Sequence, residues 1–160
     1  MDKPKIKIQK AKLSDLNDLM HLTKKLMKFE EKHDPHYSTS ADFERTYKAY
    51  LKKKLKSRNF VVLKAVCNGK IVGEIIGEIQ EKLPYRKLKK FGYIERLFVA
   101  EPYRNTRIAT KLVEKLSNWF KRKRIRHMEV VAISKNKDAI RFYKKRGFSE
   151  IHRKFMLPVR

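Results

Sequence analysis

Asn136-Lys137-Asp138-Ala139-Ile140-Arg141-Phe142-Tyr143-Lys144-Lys145-Arg146-Gly147-Phe148 is the stretch that decides the fold. Asp138–Arg146 reads as a helix, and Gly147 stands where a left-handed residue commonly ends one. Just upstream, Met128–Ile133 is a short apolar strand. Before it, Ile108, Leu112, Val113, Leu116 and Trp119–Phe120 recur at helical spacing. The Lys121–Arg126 run lies at that helix's C-terminal end, where the dipole favours cations. A turn joins the helix to a preceding strand, Phe91–Val99, whose regular pleat predicts Tyr93, Glu95, Leu97 and Val99 on one face. A strand turning sharply into a helix N-terminus presents free N–H groups and a positive dipole end, which suit a phosphate or pyrophosphate.

Further outward, Phe60–Val66 and Ile71–Ile79 flank Asn68-Gly69, a two-residue hairpin signal in which both central residues need positive φ. Glu81–Lys90 is a basic loop. Leu16, Leu19, Met20, Thr23, Leu26 and Met27 give Asp15–Glu30 one apolar helical face, with Ser14 as the expected N-cap. His33–Ser38 is a loop. Ser40 opens a second helix carrying Phe43, Tyr47, Tyr50, Leu51 and Leu55 on one side. Ile6 and Ile8 alternate with polar residues in a half-buried first strand. At the other end, Phe148–Ile151 and Lys154–Leu157 are the expected final strands. Residues 1–160 form a single α/β domain with no repeat or linker.

The 136–148 stretch matches N-x-x-A-x-x-F-Y-x-x-x-G-F at every specified position. With the strand and turn before it, Phe91–Phe148 resembles the acetyl-CoA-binding core of the GNAT N-acetyltransferase superfamily. The earlier strand, helix pair and hairpin resemble that superfamily's N-terminal half. The resemblance implies a GNAT fold: a central mixed twisted sheet of about six to seven strands flanked by about four helices. It also implies transfer of an acetyl group from acetyl-CoA to a primary amine, by direct attack on the thioester and with no metal. The pyrophosphate turn of the family looks like R/Q-x-x-G-x-G/A. Arg104, Asn105, Thr106, Arg107, Ile108 and Ala109 fill it here, followed by Thr110. Arg104 and Ala109 keep the pattern, whereas Arg107 replaces the glycine that lets a backbone approach phosphates without an intervening Cβ. The arginine either points clear of the ligand or folds over it as a counter-ion.

Acetyl transfer makes three chemical demands. An amine with a pKa near ~10.4 must lose its proton to attack. Charge developing on the carbonyl oxygen needs a positioned donor, and the departing thiolate benefits from an acid. By resemblance, the backbone of Leu97, Phe98 and Val99 pairs with pantetheine and supplies an oxyanion N–H. Asn136 holds the pantetheine arm, and Tyr143 protonates the thiolate; the alternative for Tyr143 is a core aromatic beside Phe142. For the general base there are two candidates. Glu95 matches the glutamate implicated in spermidine/spermine N-acetyltransferases, and Tyr93 matches the tyrosine of protein N-terminal acetyltransferases.

Net charge bears on partners: 42 Lys plus Arg against 17 Asp plus Glu give +25. Either the basic surface lies near nucleic acid or the ribosome, or it is a solvated lysine-rich surface that also serves an anionic cosubstrate. The resemblance places the acceptor pocket between the first two helices, their loop and the loop before Phe91. Glu30, Glu31, Asp34, Asp42 and Glu44 are an acidic concentration at that mouth, consistent with a small polyamine-like amine; a protein or peptide amine is the other candidate. A non-catalytic module binding nucleic acid or an acidic partner is the rival function. The final strand is a candidate for pairing between subunits of a homodimer. The single cysteine, Cys67, excludes an internal disulfide and a cysteine zinc site. His33 and His36 read as solvent-facing or substrate-lining. No apolar run approaches the ~18 residues of a membrane span. Met1-Asp2-Lys3-Pro4 lead straight into the first strand without a signal pattern, and a cytoplasmic location is expected.

Overall fold

A computed structural model of the chain describes residues 5–160, so the expectation for Met1–Pro4 lies outside the described residues. The elements in order are β1 (Ile6–Lys10), α1 (Leu16–His33), α2 (Phe43–Lys54), β2 (Phe60–Cys67), β3 (Lys70–Glu81), β4 (Lys90–Val99), α3 (Ile108–Arg122), β5 (Met128–Val130) and α4 (Lys137–Lys145). The sheet runs β1-β2-β3-β4-β5, antiparallel up to β4 and parallel between β4 and β5. Asn68 and Gly69 take φ 48° and 77° in the β2–β3 turn, as the hairpin signal requires. Ser14 does not cap α1. Leu13–Asp15 form a 3-10 turn instead, in which the Lys12 N–H donates to Asp15 Oδ2 at 2.8 Å.

Helices cover both faces. Leu112, Val113, Leu116 and Phe120 of α3 pack on Val61, Leu63, Ile75 and Ile94, with Phe142, Tyr143 and Phe148 at the margin. This approach is close because Gly77 and Gly92 lie beneath it. A Cβ at Gly77 would come within 2.4 Å of Leu116, and one at Gly92 within 2.6 Å of Phe120. On the other face Leu16, Leu19 and Leu51 close over Phe60, Val62 and Ile76, while Leu22 and Leu26 cover Phe98 and Ala100.

Two further expectations are corrected. The sheet of the described residues has five strands rather than six or seven: Phe148–Ile151 and Lys154–Leu157 form no strand. Ile151, Phe155 and Leu157 are 73%, 88% and 82% exposed. Neither Phe148-Ser149-Glu150-Ile151 nor Lys154-Phe155-Met156-Leu157 alternates with the period of a half-buried strand, and neither pairs with the sheet. The pleat of β4 is also irregular. Ile76 pairs with Arg96 but Gly77 pairs with Ile94, leaving Glu95 as an extra residue. This β-bulge shifts the alternation. Glu95 and Arg96 both reach α1–α2 groups, whereas Leu97 and Val99 pack with the α3-side core.

Candidate active site

The bulge and the short β5 together open the sheet. β5 pairs with β4 only at Gly92, Tyr93 and Ile94. From Glu95 to Val99, β4 therefore has no strand neighbour on that side, and its backbone edge faces a wedge between the diverging strands. At the far end the chain enters a 3-10 turn at Glu101–Tyr103 and then α3.

This turn is built by backbone conformation rather than by glycine. Asn105 and Arg107 take φ 61° and 64°. Asparagine tolerates the left-handed region, but arginine there costs roughly 1–2 kcal/mol. The family pattern's glycine thus answers a conformational demand as well as a spatial one. Arg107 is the N-cap residue of α3 and makes no side-chain cap, so the first-turn N–H groups of Ile108, Ala109 and Thr110 point outward without partners. Arg104 is committed elsewhere. Its N–H donates to Glu101 O at 3.1 Å, and its Nε donates to Val99 O at 3.0 Å. Its guanidinium lies 5.0 Å from the Phe29 ring and 5.6 Å from the Phe98 ring, tying the turn to α1. Thr106 Oγ1 donates to Tyr103 O.

Across the wedge, Asn136 caps α4: its Oδ1 accepts from Ala139 N at 3.1 Å. That bond explains asparagine at the head of the motif and leaves the amide NH₂ to serve as a donor. Tyr143 lies half-buried on α4, its ring 5.3 Å from Phe142 and 5.4 Å from Phe148. Burial, and then the nearby Tyr93 phenol, hold the Tyr143 hydroxyl well above the usual tyrosine value, so it keeps its proton at neutral pH. Tyr93 is raised as well, by burial first and then by Glu95 and Tyr37.

Glu95 points to the α1–α2 side, where its Oε2 accepts from Tyr50 O–H at 2.8 Å. Burial, then that bond and the carboxylate's charge, keep the Tyr50 phenol protonated. The structure therefore gathers Tyr93, Glu95 and Tyr143 at the mouth of the wedge and adds Tyr37 and Tyr50, which sequence reading took as loop and apolar face. Of the acidic residues expected at the mouth, Glu44 pairs with Lys24 at 2.6 Å and Asp42 with Arg45 at 2.7 Å on the outside. Glu31 accepts from Ser38 and Asp34 from His36. Glu30 alone turns inward; burial raises its pKa and nearby Arg96 and His33 lower it. His33 bonds the Phe29 carbonyl at 2.8 Å. Among the described residues no group of three or more His, Cys, Asp or Glu could hold a metal, and no helix is long and apolar enough to cross a membrane.

A family model described as the acetyltransferase (GNAT) family matches residues 18–148. No curated protein matches the sequence. Among solved structures, a tetramutant of the BH1408 protein from Bacillus halodurans superposes with a TM-score of 0.86 at 20% identity, over 96% of this chain and 99% of that one. A predicted acetyltransferase from Clostridium acetobutylicum, solved with acetyl-CoA, gives 0.79 at 22% identity over 96% of each chain. The apo aminoglycoside 6'-N-acetyltransferase AAC(6')-IG of Acinetobacter haemolyticus gives 0.76 at 17% identity, over 96% of this chain and 98% of that one. At such identities the structures share a fold. The family model covers most of the chain, from α1 to Phe148, and the chain belongs to the acetyltransferase (GNAT) family.

Proposed function

We propose that the protein is an N-acetyltransferase that moves an acetyl group from acetyl-CoA to a primary amine. The observation that carries this reading is the wedge itself. An unpaired β4 edge leads from Glu95 to an uncapped helix N-terminus, with a protonated tyrosine on one side and a carboxylate on the other. The residues fit CoA in kind. The N–H groups of Asn105, Thr106, Arg107, Ile108, Ala109 and Thr110 would hold the pyrophosphate, helped by the positive end of α3. Arg104 shapes this turn through Val99 O and its two aromatic contacts rather than as a free counter-ion. The edge of Leu97, Phe98 and Val99 and the Asn136 amide would take the amide-bearing arm.

When bound, acetyl-CoA supplies an activated acyl carbon and a thiol leaving group. The protein's residues manage the protons. Glu95, held by Tyr50, takes the proton of the incoming ammonium, with Tyr93 beside it as the alternative base. A β4 backbone N–H faces the carbonyl oxygen as negative charge develops there. Tyr143 gives its proton to the departing sulfur. The experiment is release of free thiol from acetyl-CoA with an aminoglycoside, a polyamine and a lysine-bearing peptide as acceptors. Turnover is expected with at least one of them. No thiol release above the hydrolysis background with all three would contradict the reading and favour a binding module.

A further inference from the structure

Behind Glu95 lies a buried polar chain that the acetyl-transfer steps leave unused. Glu74 stands at the centre of β3 inside an otherwise apolar run and is 0% exposed, as is Thr23 of α1. Thr23 Oγ1 donates to Glu74 Oε1 at 3.3 Å and accepts from Arg96 Nη1 at 3.2 Å. The Arg96 guanidinium also lies 4.5 Å from the Tyr47 ring of α2. Its Nε, Glu74 Oε2 and the Tyr47 hydroxyl are buried without partners, and among the described residues no other buried side-chain polar atom is in that state. No carboxylate oxygen of the described residues comes within 4.0 Å of Arg96. Yet the bulge sends Arg96 and its neighbour Glu95 to the same side of the sheet. The Arg96 guanidinium acts on two carboxylates, the buried Glu74 and Glu30 of α1, and Glu95 lies next to it in the chain on the same side of the sheet.

We propose that Glu74 is a positioning residue: through Thr23 it holds Arg96 back from Glu95, so that the Glu95 carboxylate stays free to take the acceptor's proton. This rests on the acetyltransferase reading and on Glu95 as its base. An Arg–carboxylate pair is a strong, frequently bidentate contact, and a carboxylate locked in one is a poor proton acceptor. Burial pushes the Glu74 carboxyl up to about 7, opposed by Arg96 and the Thr23 hydroxyl and reinforced by Glu95. Thr23, Arg96, Glu95 and, from α2, Tyr47 are the polar groups that face it. Its hold on Arg96 therefore tightens as the solution passes neutrality.

The test is a double-mutant cycle in the full chain, read as kcat for thiol release with the best of the three acceptors. Read above neutrality, at about pH 8, where Glu74 is ionised, Glu74→Gln removes the charge that holds Arg96 and should lower kcat on the order of 10-fold or more, with KM for acetyl-CoA unchanged. Adding Arg96→Met removes the competing cation, so the double variant should regain activity over Glu74→Gln; such non-additivity marks residues acting as a unit. A double variant as slow as the single one or slower is the result of a merely structural role, and it overturns the proposal. Thr23→Val, which breaks the chain with little change of shape, should also slow turnover; wild-type kcat there counts against the proposal. A crystal structure of Glu74→Gln, which needs no acceptor, should show Arg96 within ion-pair distance of Glu95, and an unmoved Arg96 contradicts the assignment. Glu95→Gln separates the two claims. If Glu95→Gln is impaired and Glu74→Gln is not, the base stands and the partition of Arg96 falls. If Glu95→Gln keeps full turnover, the base assignment falls first.

Discussion

On the α3 face of the sheet, the buried side chains are apolar and interlock so closely that Gly77 and Gly92 are needed beneath Leu116 and Phe120. On the α1–α2 face, the same strands bury Thr23 and Glu74 and bring Arg96 and Glu95 in from a bulge. An apolar layer gains stability from each methylene it buries, about 0.8 kcal/mol. A buried carboxylate without a full set of partners weakens the fold. One face thus contributes apolar packing, and the other gives up some of that stability and places charges beside the unpaired β4 edge.

This contrast can be broken most forcefully on the apolar side. Leu116 is 0% exposed, and Leu116→Ala is expected to lower unfolding free energy by roughly 3–5 kcal/mol, read from urea denaturation. A loss below about 1 kcal/mol would mean that the α3 layer is loose.

The polar face should show itself in the pH dependence of stability. The Glu74 carboxyl sits at about 7 in the folded chain against 4.5 ordinarily. Below pH ~4.5 both states hold the proton. Between the two values the folded chain keeps it and the unfolded chain has lost it, so stability falls as pH rises and levels off above ~7. The decline is on the order of 3 kcal/mol, and the difference between the wild-type and Glu74→Gln curves isolates it. Parallel curves would show that the Glu74 carboxyl is not perturbed.

At the mouth, Tyr143→Phe keeps the ring contacts with Phe142 and Phe148 while removing the hydroxyl. Turnover should fall roughly 10²-fold with stability and CoA affinity intact. Full activity would make Tyr143 a packing residue. The smallest effect is expected at Arg107. Arg107→Gly relieves a left-handed arginine and should stabilise the fold by about 1 kcal/mol. It should also weaken CoA binding and flatten its salt dependence, because a guanidinium suits phosphate. Tighter binding would show that the side chain obstructs.

The apolar face was largely legible in the sequence, since Leu112, Leu116 and Phe120 announce themselves by period and Asn68-Gly69 by turn chemistry. The motif from Asn136 to Phe148 placed α4, and its leading Asn136 reads as a cap once the helix is seen. The polar face was legible only in part. A bulge leaves little trace in a sequence, so the regular pleat put Glu95 with Leu97 and Val99 and hid its proximity to Tyr50. Glu74 did carry a signal, a lone charge in the apolar run Val72-Gly73-Glu74-Ile75-Ile76, but its partners come from α1, α2 and β4 and no local spacing links them. The terminal strands failed for a different reason: Phe148–Ile151 and Lys154–Leu157 carry apolar residues without the period of two that marks a half-buried strand.

Calorimetric titration of the full chain with acetyl-CoA tests the central claim most directly. Saturable one-to-one binding is expected, weakened by added salt as phosphate contacts on the α3 N-terminus require, with a matching rise in Tm by mass action. Absence of heat and of any thermal shift at millimolar acetyl-CoA would contradict the account and leave the wedge without its cosubstrate.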